Sequence, residues 1–436
     1  MKKVFLTGMA LTALLFTSCS DDDTVLEPIA TATCTDGIKN GNETGVDCGG
    51  ACAACETGNV VDEDLSGLLT EDLTLTKDVL WEINGKFVVG SGATLTIEAG
   101  TIIKGAEGAG SLASALIVGR GGLIDARGTE EEPIIFTSIL DNIQVGQKAG
   151  TNLDENDRGL WGGVILLGNA PSSIEGDSEE SQIEGIPADD DFGRYGGSDA
   201  EDNSGFIQYV SIRHGGALIG DGNEINGLTM GGVGKGTTID HVEVVGNFDD
   251  GFEWFGGTVN SSNLVVFAGG DDGLDIDQAF SGTITNALVI QGNISDHALE
   301  IDGPEGTLQG AFTIDGLTII GNPSSPKGEI ADFRDGAQGT IKNVYLRGFG
   351  AEQDVEIDDA GSAANYTSGA LSFSAWEVVL PEGVTNVEDL FNDTTDSTTL
   401  KADSVNFTTS VEAGSQTVGA DLSVFDWTFA KSRGAF

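Results

Sequence analysis

Short apolar runs recur along the chain from about Leu73 onward, and each is closed by glycine, asparagine or aspartate. Strands of this length joined by glycine-rich turns are typical of all-β proteins, and no stretch shows a convincing helical period of apolar residues. The pattern therefore predicts an all-β chain. The clearest runs are Phe87-Val88-Val89, Thr94-Leu95-Thr96-Ile97, Ala115-Leu116-Ile117-Val118, Ile134-Ile135-Phe136 and Gly163-Val164-Ile165-Leu166-Leu167.

The runs repeat most regularly in the middle of the chain. Aligning His241, Asn263 and Asn286 within successive runs gives steps of 22 and 23 residues. A period in this range with short strands predicts a solenoid, in which a coil carries about three strands and stacks about 4.8 Å from the next. We therefore predict a parallel β-helix over residues 73–380.

The segments outside the repeat are assigned from their composition. Residues 57–72 are expected to form a linker, and the polar, acidic stretches 140–157 and 172–202 are expected to form surface loops over one face of the helix. Residues 381–436 lose the repeat and are expected to cap the last coil, because an open terminal coil is an unpaired sheet edge. The aromatic residues within 425–429 are the predicted capping group.

The N-terminus has the features of a secretory signal peptide over residues 1–18. Two lysines precede an apolar run at 4–16, which is too short to span a bilayer, and small residues precede Cys19. This arrangement resembles a bacterial lipobox, which implies cleavage before Cys19 and acylation of its side chain. An ordinary signal peptide with a chance cysteine is the alternative. Under the lipobox interpretation, residues 19–33 form an acidic tether, and several acyl chains on one residue give stable anchoring.

Three aspartates at 21–23 follow the lipobox almost directly. They resemble the surface-export signal of Bacteroidetes lipoproteins, although short acidic tracts are also common in disordered tethers. The resemblance implies a lipid-anchored protein of the outer membrane that is exposed at the cell surface. No second apolar stretch in the sequence is long enough to span a membrane, so the lipid is the only predicted anchor.

Four further cysteines lie close together and define a small module over residues 34–56. In an oxidising compartment such cysteines usually form two disulfides, for which three connectivities are available, and a four-cysteine zinc site is the alternative. The module resembles a unit that recurs in exported proteins of Bacteroidetes and myxobacteria. It is too small to form a hydrophobic core of its own and is predicted to be a small disulfide-stabilised module on the tether. The cysteines are Cys34, Cys48, Cys52 and Cys55.

The charge balance narrows the choice of partners. The chain has 70 acidic and 20 basic residues, a formal net charge of −50. Such a field repels nucleic acid, which argues against DNA or RNA binding, and it repels polyanionic substrates unless cations intervene. An exported acidic protein often meets calcium, for which carboxylates on loops are natural ligands.

Acidic residues recur at the coil period. Glu253, Asp275 and Glu300 follow one another by 22 and 25 residues, so they are expected to stack at one corner. With the acids around them they form what we call the acidic ladder: Asp249, Asp250 and Glu253, then Asp271, Asp272, Asp275 and Asp277, then Asp296, Glu300 and Asp302. Carboxylates about 5 Å apart repel by roughly 3 kcal/mol per pair at an effective dielectric near 20, so the row is costly unless cations bind or pKa values rise. Calcium is the predicted ion, and acids that are merely solvated or structural are the alternative. The predicted ligands are Asp250, Glu253, Asp272, Asp275, Asp277, Glu300 and Asp302.

The same region supports a second hypothesis, that of a glycoside hydrolase. Asp249-Asp250, Asp271-Asp272 and His297 follow the order of polygalacturonase motifs, although the Gly-His-Gly context and the later R-I-K motif are missing. An inverting hydrolase needs carboxyl groups about 6.5–9.5 Å apart, with Asp271 or Asp272 as the acid and Asp249 or Asp250 as the base. Lyase chemistry is a weaker alternative, because no pectate-lyase motif surrounds the arginines and lysines.

Two aromatic residues beside the ladder, Trp254 and Phe255, are candidates for stacking on a sugar ring. Aromatic residues at coil positions are more often part of the core, so core packing is the alternative. His241, at the start of a strand, is predicted to belong to a stack of side chains rather than to a catalytic site.

The chain also resembles a family of exported bacterial proteins with pectate-lyase-like β-helices, from about Leu80 to the C-terminus. The residues that carry the resemblance are GATLTIEAGT at 92–101, LWGGV at 160–164 and DDGFEWFGG at 249–257. The resemblance implies a right-handed parallel β-helix and no established activity, because β-helices host lyases, hydrolases, adhesins and spacers alike.

These observations together predict a surface lipoprotein whose β-helix binds or presents extracellular polysaccharide, with calcium in the acidic ladder. A polysaccharide-degrading enzyme is the first alternative. A structural or adhesive surface protein, with a protein partner, is the second.

Overall fold

The computed structural model describes residues 61–187, 190–218 and 225–436, except the side chains of 61–63 and 111. The predicted signal peptide, acidic tether and cysteine-rich module, and with them Cys19 and the four clustered cysteines, lie outside the described residues. No helix within the described ranges is long and apolar enough to cross a membrane.

The described chain is a stack of coils built from parallel strands. One sheet system contains 24 strands, and all hydrogen-bonded neighbours in it run parallel. Two further short strands pair antiparallel within a loop. This arrangement is consistent with a right-handed parallel β-helix, the hand that parallel crossover connections take. The strands are β1 Val61–Leu69, β2 Leu73–Leu75, β3 Leu80–Val89, β4 Thr94–Ile97, β5 Ile102–Gly105, β6 Ala115–Val118, β7 Leu123–Arg127, β8 Ile134–Ser138, β9 Val164–Leu167, β10 Ser181–Gln182, β11 Arg194–Tyr195, β12 Gly205–Arg213, β13 Leu228–Gly231, β14 Thr238–Val245, β15 Phe252–Phe255, β16 Asn260–Phe267, β17 Leu274–Asp277, β18 Thr283–Ile290, β19 His297–Asp302, β20 Phe312–Ile320, β21 Glu329–Arg334, β22 Gly339–Arg347, β23 Val355–Ile357, β24 Leu371–Val378, β25 Phe391–Asp393 and β26 Thr408–Ser410.

In the middle of the stack, each coil contributes one long and one short strand. The long strands bend at a single residue of positive φ, which forms one corner of the coil. Tyr209, His241, Asn263 and Asn286 hold this position on four successive coils, with φ values of 49, 52, 56 and 61°. Their side chains stack: the Tyr209 ring lies 4.3 Å from that of His241, and the Asn286 side-chain amide donates to Asn263 Oδ1 at 2.7 Å. The predicted alignment is therefore confirmed, and His241 belongs to a side-chain stack.

The short strands form a separate face, in the order β9, β13, β15, β17, β19, β21, β23 and β25. We call it the short-strand face. Side chains alternate between the interior and this face, as in any β-strand. On β15, Phe252 and Trp254 point inward, where the Trp254 ring lies 5.9 Å from Phe252 and 5.5 Å from Phe280, whereas Glu253 points outward. Burying each such aromatic side chain stabilises the stack by about 1.5–3 kcal/mol.

The bounds of the β-helix differ from those predicted. Strand β1 lies in the stretch 57–72 that was predicted as a linker, and it pairs with β3, so the helix begins at least by Val61. Strands β25 and β26 lie within 381–436 and extend the stack beyond the predicted end. The composition of these segments is polar enough to suggest loops, but their backbone groups pair with the adjoining coil.

The last coil is capped by two helices and a cluster of aromatic rings. Helix α1 spans Ala360–Ser368 and helix α2 spans Leu400–Phe407. The Phe407 ring lies 5.4 Å from Phe391 and 5.9 Å from Trp376, and Phe373 lies 5.3 Å from Trp376. These rings cover the open end of the stack.

The prediction that residues 425–429 cap the last coil is wrong. The chain runs back along the outside of the long strands instead: Gly419 donates to the Asn343 carbonyl, and Trp427 lies 5.6 Å from Tyr209, several coils nearer the N-terminus. Apolar packing and a buried acid hold the segment there. Phe425 and Phe429 belong to one buried cluster with Val265 and Phe267 of β16. Glu243 accepts from Ser211 Oγ at 2.7 Å and from the backbone amide of Ala430 at 2.8 Å, at the start of helix α3, Phe429–Ser432.

Replacing Glu243 with alanine should detach the C-terminal segment. The buried hydroxyl of Ser211 and the amides of Phe429 and Ala430 would lose their acceptor, and leaving such groups unpaired costs about 1–3 kcal/mol each. We expect a lower melting temperature and faster proteolytic removal of the segment. Glu243→Gln, which retains one acceptor oxygen, should show a smaller effect. Unchanged proteolysis in Glu243→Ala would show that this contact does not hold the segment.

Candidate functional site

The acidic ladder forms on the short-strand face as the spacing predicts. Glu253 is paired in register with Asp275, and Asp275 with Glu300. The row continues beyond the predicted residues, because Glu300 is paired with Asp332 and Asp332 with Glu356. Five carboxylates on five successive coils therefore point to the same side, one strand spacing of about 4.8 Å apart.

The repeated Asp-Asp-Gly sequence forms the turn that leads into two of these strands. At Gly251 and Gly273 a Cβ atom would lie 2.5 Å from Val266 and 2.7 Å from Val289 of the adjacent wall, so only glycine fits without displacing them. The acid before each glycine is part of a column of hydrogen bonds. Asp250 Oδ1 accepts the backbone amide of Asp272, and Asp272 Oδ1 accepts that of His297. Both carboxylates thus hold one coil to the next.

The centre of the ladder is neutralised by the protein's own cations. His297 Nδ1 lies 3.0 Å from Asp272 Oδ1 and 3.3 Å from Glu300 Oε2, and Arg334 pairs with Glu300 from the next coil. Burial lowers the pKa of His297, but its hydrogen bond to Asp272 and the charges of Asp272 and Asp296 outweigh burial and raise that pKa to about 9. His297 is therefore an imidazolium at neutral pH, which makes it a counter-ion rather than a general base.

One flank of the ladder has no such partner. Asp250, Glu253 and Asp275 bring carboxylate oxygens within 4.8 Å of one another. Within the part of the chain that the structure describes, no lysine, arginine or histidine forms an ion pair with any of the three. Asp275 Oδ1 is buried and has no hydrogen-bond partner there. Burial, with the charges of neighbouring acids, raises the pKa of all three well above the usual range.

A cleft of about 420 Å³ opens at the C-terminal ends of the short strands. Burial and the charge of Glu305 raise the pKa of Asp277 to about 7. Burial and the charge of Asp277 raise the pKa of Asp302 to about 8. Arg334 Nε lies 2.8 Å from Asp302, and the same guanidinium pairs with Glu300. The cleft is lined by the carboxylates of Asp277, Asp302, Glu305, Asp335 and Asp359 and by Gly303, Pro304, Gly336 and Gly361.

The proposed hydrolase residues separate into two groups. Asp250 and Asp272 are 6% and 3% exposed and accept backbone amides, so a glycosidic oxygen cannot reach them. Asp271 and Asp249 are both partly exposed. The nearest oxygens of Asp249, Asp250 and Asp271 lie within 4.8 Å of one another, which is closer than the spacing of about 6.5–9.5 Å used by inverting hydrolases.

The assignment of Trp254 and Phe255 as sugar-stacking residues is wrong. Trp254 is 0% exposed because it points into the helix, on the opposite side of β15 from Glu253. Phe255 is 7% exposed because the predicted surface loop at 172–202 folds over it. Tyr195 of that loop lies 6.0 Å from the Phe255 ring, and Ser172 Oγ donates to the Phe255 carbonyl at 3.0 Å.

Several site residues were missed by the sequence analysis. The step from Glu300 to Asp332 is 32 residues, longer than the earlier coils, so the ladder leaves the 22–25-residue period there. Each acid of the row lies between two apolar residues of its strand, and following that pattern along the chain would have found Asp332 and Glu356. The guanidinium of Arg334 pairs with two acids, Glu300 and Asp302. No motif in the sequence indicated this role.

The chain matches a family described as a pectate-lyase-like β-helix domain over residues 67–430. Among solved structures, full-length tailspike protein 2 of Escherichia coli O157:H7 bacteriophage CAB120 is similar at 13% identity and a TM-score of 0.22, covering 69% of this chain and 38% of that one. A Family 28 exopolygalacturonase of Yersinia enterocolitica is similar at 12% identity and a TM-score of 0.21, covering 70% and 64%. No significant match was found among curated proteins.

The metal-free protein should lose stability as pH rises from about 5 to 9. Asp277 and Asp302 have folded-state pKa values of about 7 and 8, against about 4 when unfolded, so the folded chain holds protons that the unfolded chain releases. His297 acts in the same direction, since its stabilising charge is lost as pH rises through about 9. Melting temperatures in chelator should therefore fall across this range, less steeply for Asp302→Asn. A flat or rising profile would contradict the geometry.

Proposed function

This chain belongs to the family of pectate-lyase-like β-helix domains, and on that premise we propose that it binds extracellular polysaccharide in the cleft beside the acidic ladder, with calcium held by the ladder. The match covers most of the described chain. The family takes its name from pectate lyases, which favours a carbohydrate ligand without fixing the activity.

The observation that carries the proposal is the cleft itself. Its five carboxylates are strong hydrogen-bond acceptors, and the hydroxyl groups of a sugar are the matching donors. Gly303, Gly336 and Gly361 line it without side chains, so a ring can approach the backbone. The cleft spans successive coils, and so a linear polymer can lie along the axis of the stack and meet the same type of residue repeatedly.

Calcium fits the uncompensated flank of the ladder. Calcium takes six to eight oxygen ligands at about 2.3–2.6 Å, so oxygens that share one ion lie no more than about 5 Å apart. The oxygens of Asp250, Glu253 and Asp275 meet that limit, and Asp275 Oδ1 has no other partner among the described residues. A bound divalent ion would replace the mutual repulsion of these acids with attraction.

The predicted lipid anchor would place this binding at the cell surface. Acylation of Cys19 would attach the chain to the outer membrane, and export to the outer leaflet would expose the β-helix to extracellular glycans. A surface-protein partner remains the alternative if no glycan binds.

Hydrolysis is the competing activity that a binding test must include. Asp271 and Asp249 are both partly exposed and lie close to each other, so these two are the acids of the predicted set that can touch a substrate. Release of reducing ends from a bound glycan, abolished in Asp249→Asn and Asp271→Asn variants, would replace the binding proposal with a hydrolase.

The proposal predicts glycan retention that depends on the cleft. Full-length protein in detergent should be screened on a polysaccharide array with calcium and with chelator. Glu305→Gln combined with Asp335→Asn retains the shape of the cleft but removes two charges, and should weaken binding by about tenfold or more.

Asp315→Asn is the matched control, because Asp315 pairs with Lys342 on a long strand away from the cleft. Binding by the control and not by the double variant supports the cleft. Equal binding by both proteins would show that the ligand lies elsewhere.

A further inference from the structure

We propose a second divalent-cation site at the C-terminal end of the acidic ladder, formed by Glu329, Asp332, Asp354 and Glu356. This site would bind the same ion, calcium, as the site in the proposed function, and it does not depend on glycan binding. The carboxylate oxygens of Glu329, Asp354 and Glu356 lie within 4.8 Å of one another, the span that one calcium ion can bridge.

Two adjoining coils bring the four acids together. Strand β21 begins at Glu329 and contains Asp332, which is paired in register with Glu356 of β23. Parallel neighbours in register present their side chains to the same side of the sheet, so Asp332 points outward beside Glu356. Asp354 precedes β23, and its carbonyl accepts the Ile330 amide at 2.9 Å, which fixes it against β21.

Asp332 provides an independent indication of a ligand. It is only 8% exposed, and its Oδ1 atom is buried without a hydrogen-bond partner in the described part of the chain. An unpaired buried carboxylate oxygen is costly, whereas a metal ion would give it a partner of the right charge. Asp332 is paired in register with Glu356, so its carboxylate lies beside that of Glu356 on the same face of the sheet. The positive charge of His297 and the negative charges of Asp358 and Glu329 all act on it.

The nearby cations do not balance these acids. His297 Nε2 lies 3.9 Å from Glu329, but His297 also serves Asp272 and Glu300. Glu356 accepts one neutral hydrogen bond, from the Asn392 amide at 2.7 Å. Lys401 lowers the pKa of Asp354 while its ammonium pairs with Asp389 at 3.8 Å. Burial and the neighbouring acids still raise the pKa of Glu356 to about 7.

The two sites differ in their access to solvent. In the first site Asp250 and Glu253 are buried, so most ligand positions are enclosed. In the second, Glu329, Asp354 and Glu356 are all partly exposed, which leaves coordination positions for water. An ion at the second site should therefore exchange more readily.

Calcium titration of the full-length, metal-free protein by calorimetry tests the second site. Wild type should bind two ions. Asp332→Asn combined with Glu356→Gln should lose one and keep the other, and Asp275→Asn should do the reverse. Asp315→Asn is the control and should bind both. Because the double variant alters a buried group, Glu329→Gln serves as a milder variant and should weaken one ion by about tenfold or more.

Unchanged stoichiometry and affinity in Asp332→Asn/Glu356→Gln and in Glu329→Gln, with circular dichroism showing native folding, would overturn the second site. If Asp275→Asn still lost an ion in that case, the first site would stand alone. Glycan binding that persisted without calcium would contradict a role for calcium in glycan binding but would not bear on the second ion site. The two proposals can therefore be disproved independently.

Discussion

Repulsion between carboxylates stacked at the coil spacing is the constraint on which the rest of the site depends. A parallel β-helix repeats the same side-chain position about every 4.8 Å, so an acid on each coil must face the next one. Each such pair costs about 3 kcal/mol at an intermediate dielectric. The ladder from Glu253 to Glu356 therefore needs protons or cations. His297 and Arg334 supply positive charge at its centre only.

Different segments of the chain cover different faces of the β-helix. The loop at 172–202 covers the N-terminal end of the short-strand face and buries Phe255. The C-terminal segment packs on the long strands and is held by Glu243. The ladder and the cleft lie on the short strands, away from the C-terminal segment. Rigid strands hold the carboxylates in place, so an ion or a sugar meets a prearranged set of oxygens.

Much of the architecture was readable from the sequence, because a solenoid repeats locally. The steps between His241, Asn263 and Asn286 located a corner of the coil, and those between Glu253, Asp275 and Glu300 located the ladder. Features that depend on contacts between residues far apart in the sequence could not be predicted from it. Tyr195, about 60 residues before Phe255, decides that this ring is buried. Trp254 could have been placed inside by strand alternation alone, given that Glu253 faces outward.

A crystal structure of calcium-loaded protein, with strontium substituted to give anomalous scattering, tests the central claim most directly. We expect an anomalous peak about 2.3–2.6 Å from oxygens of Asp250, Glu253 and Asp275, with distances slightly longer for strontium. Crystals that hold the ion elsewhere, while the oxygens of these three carboxyl groups stay within 4.8 Å of one another at neutral pH, would contradict this claim. Shared protons, rather than an ion, would then offset the repulsion at this flank of the ladder.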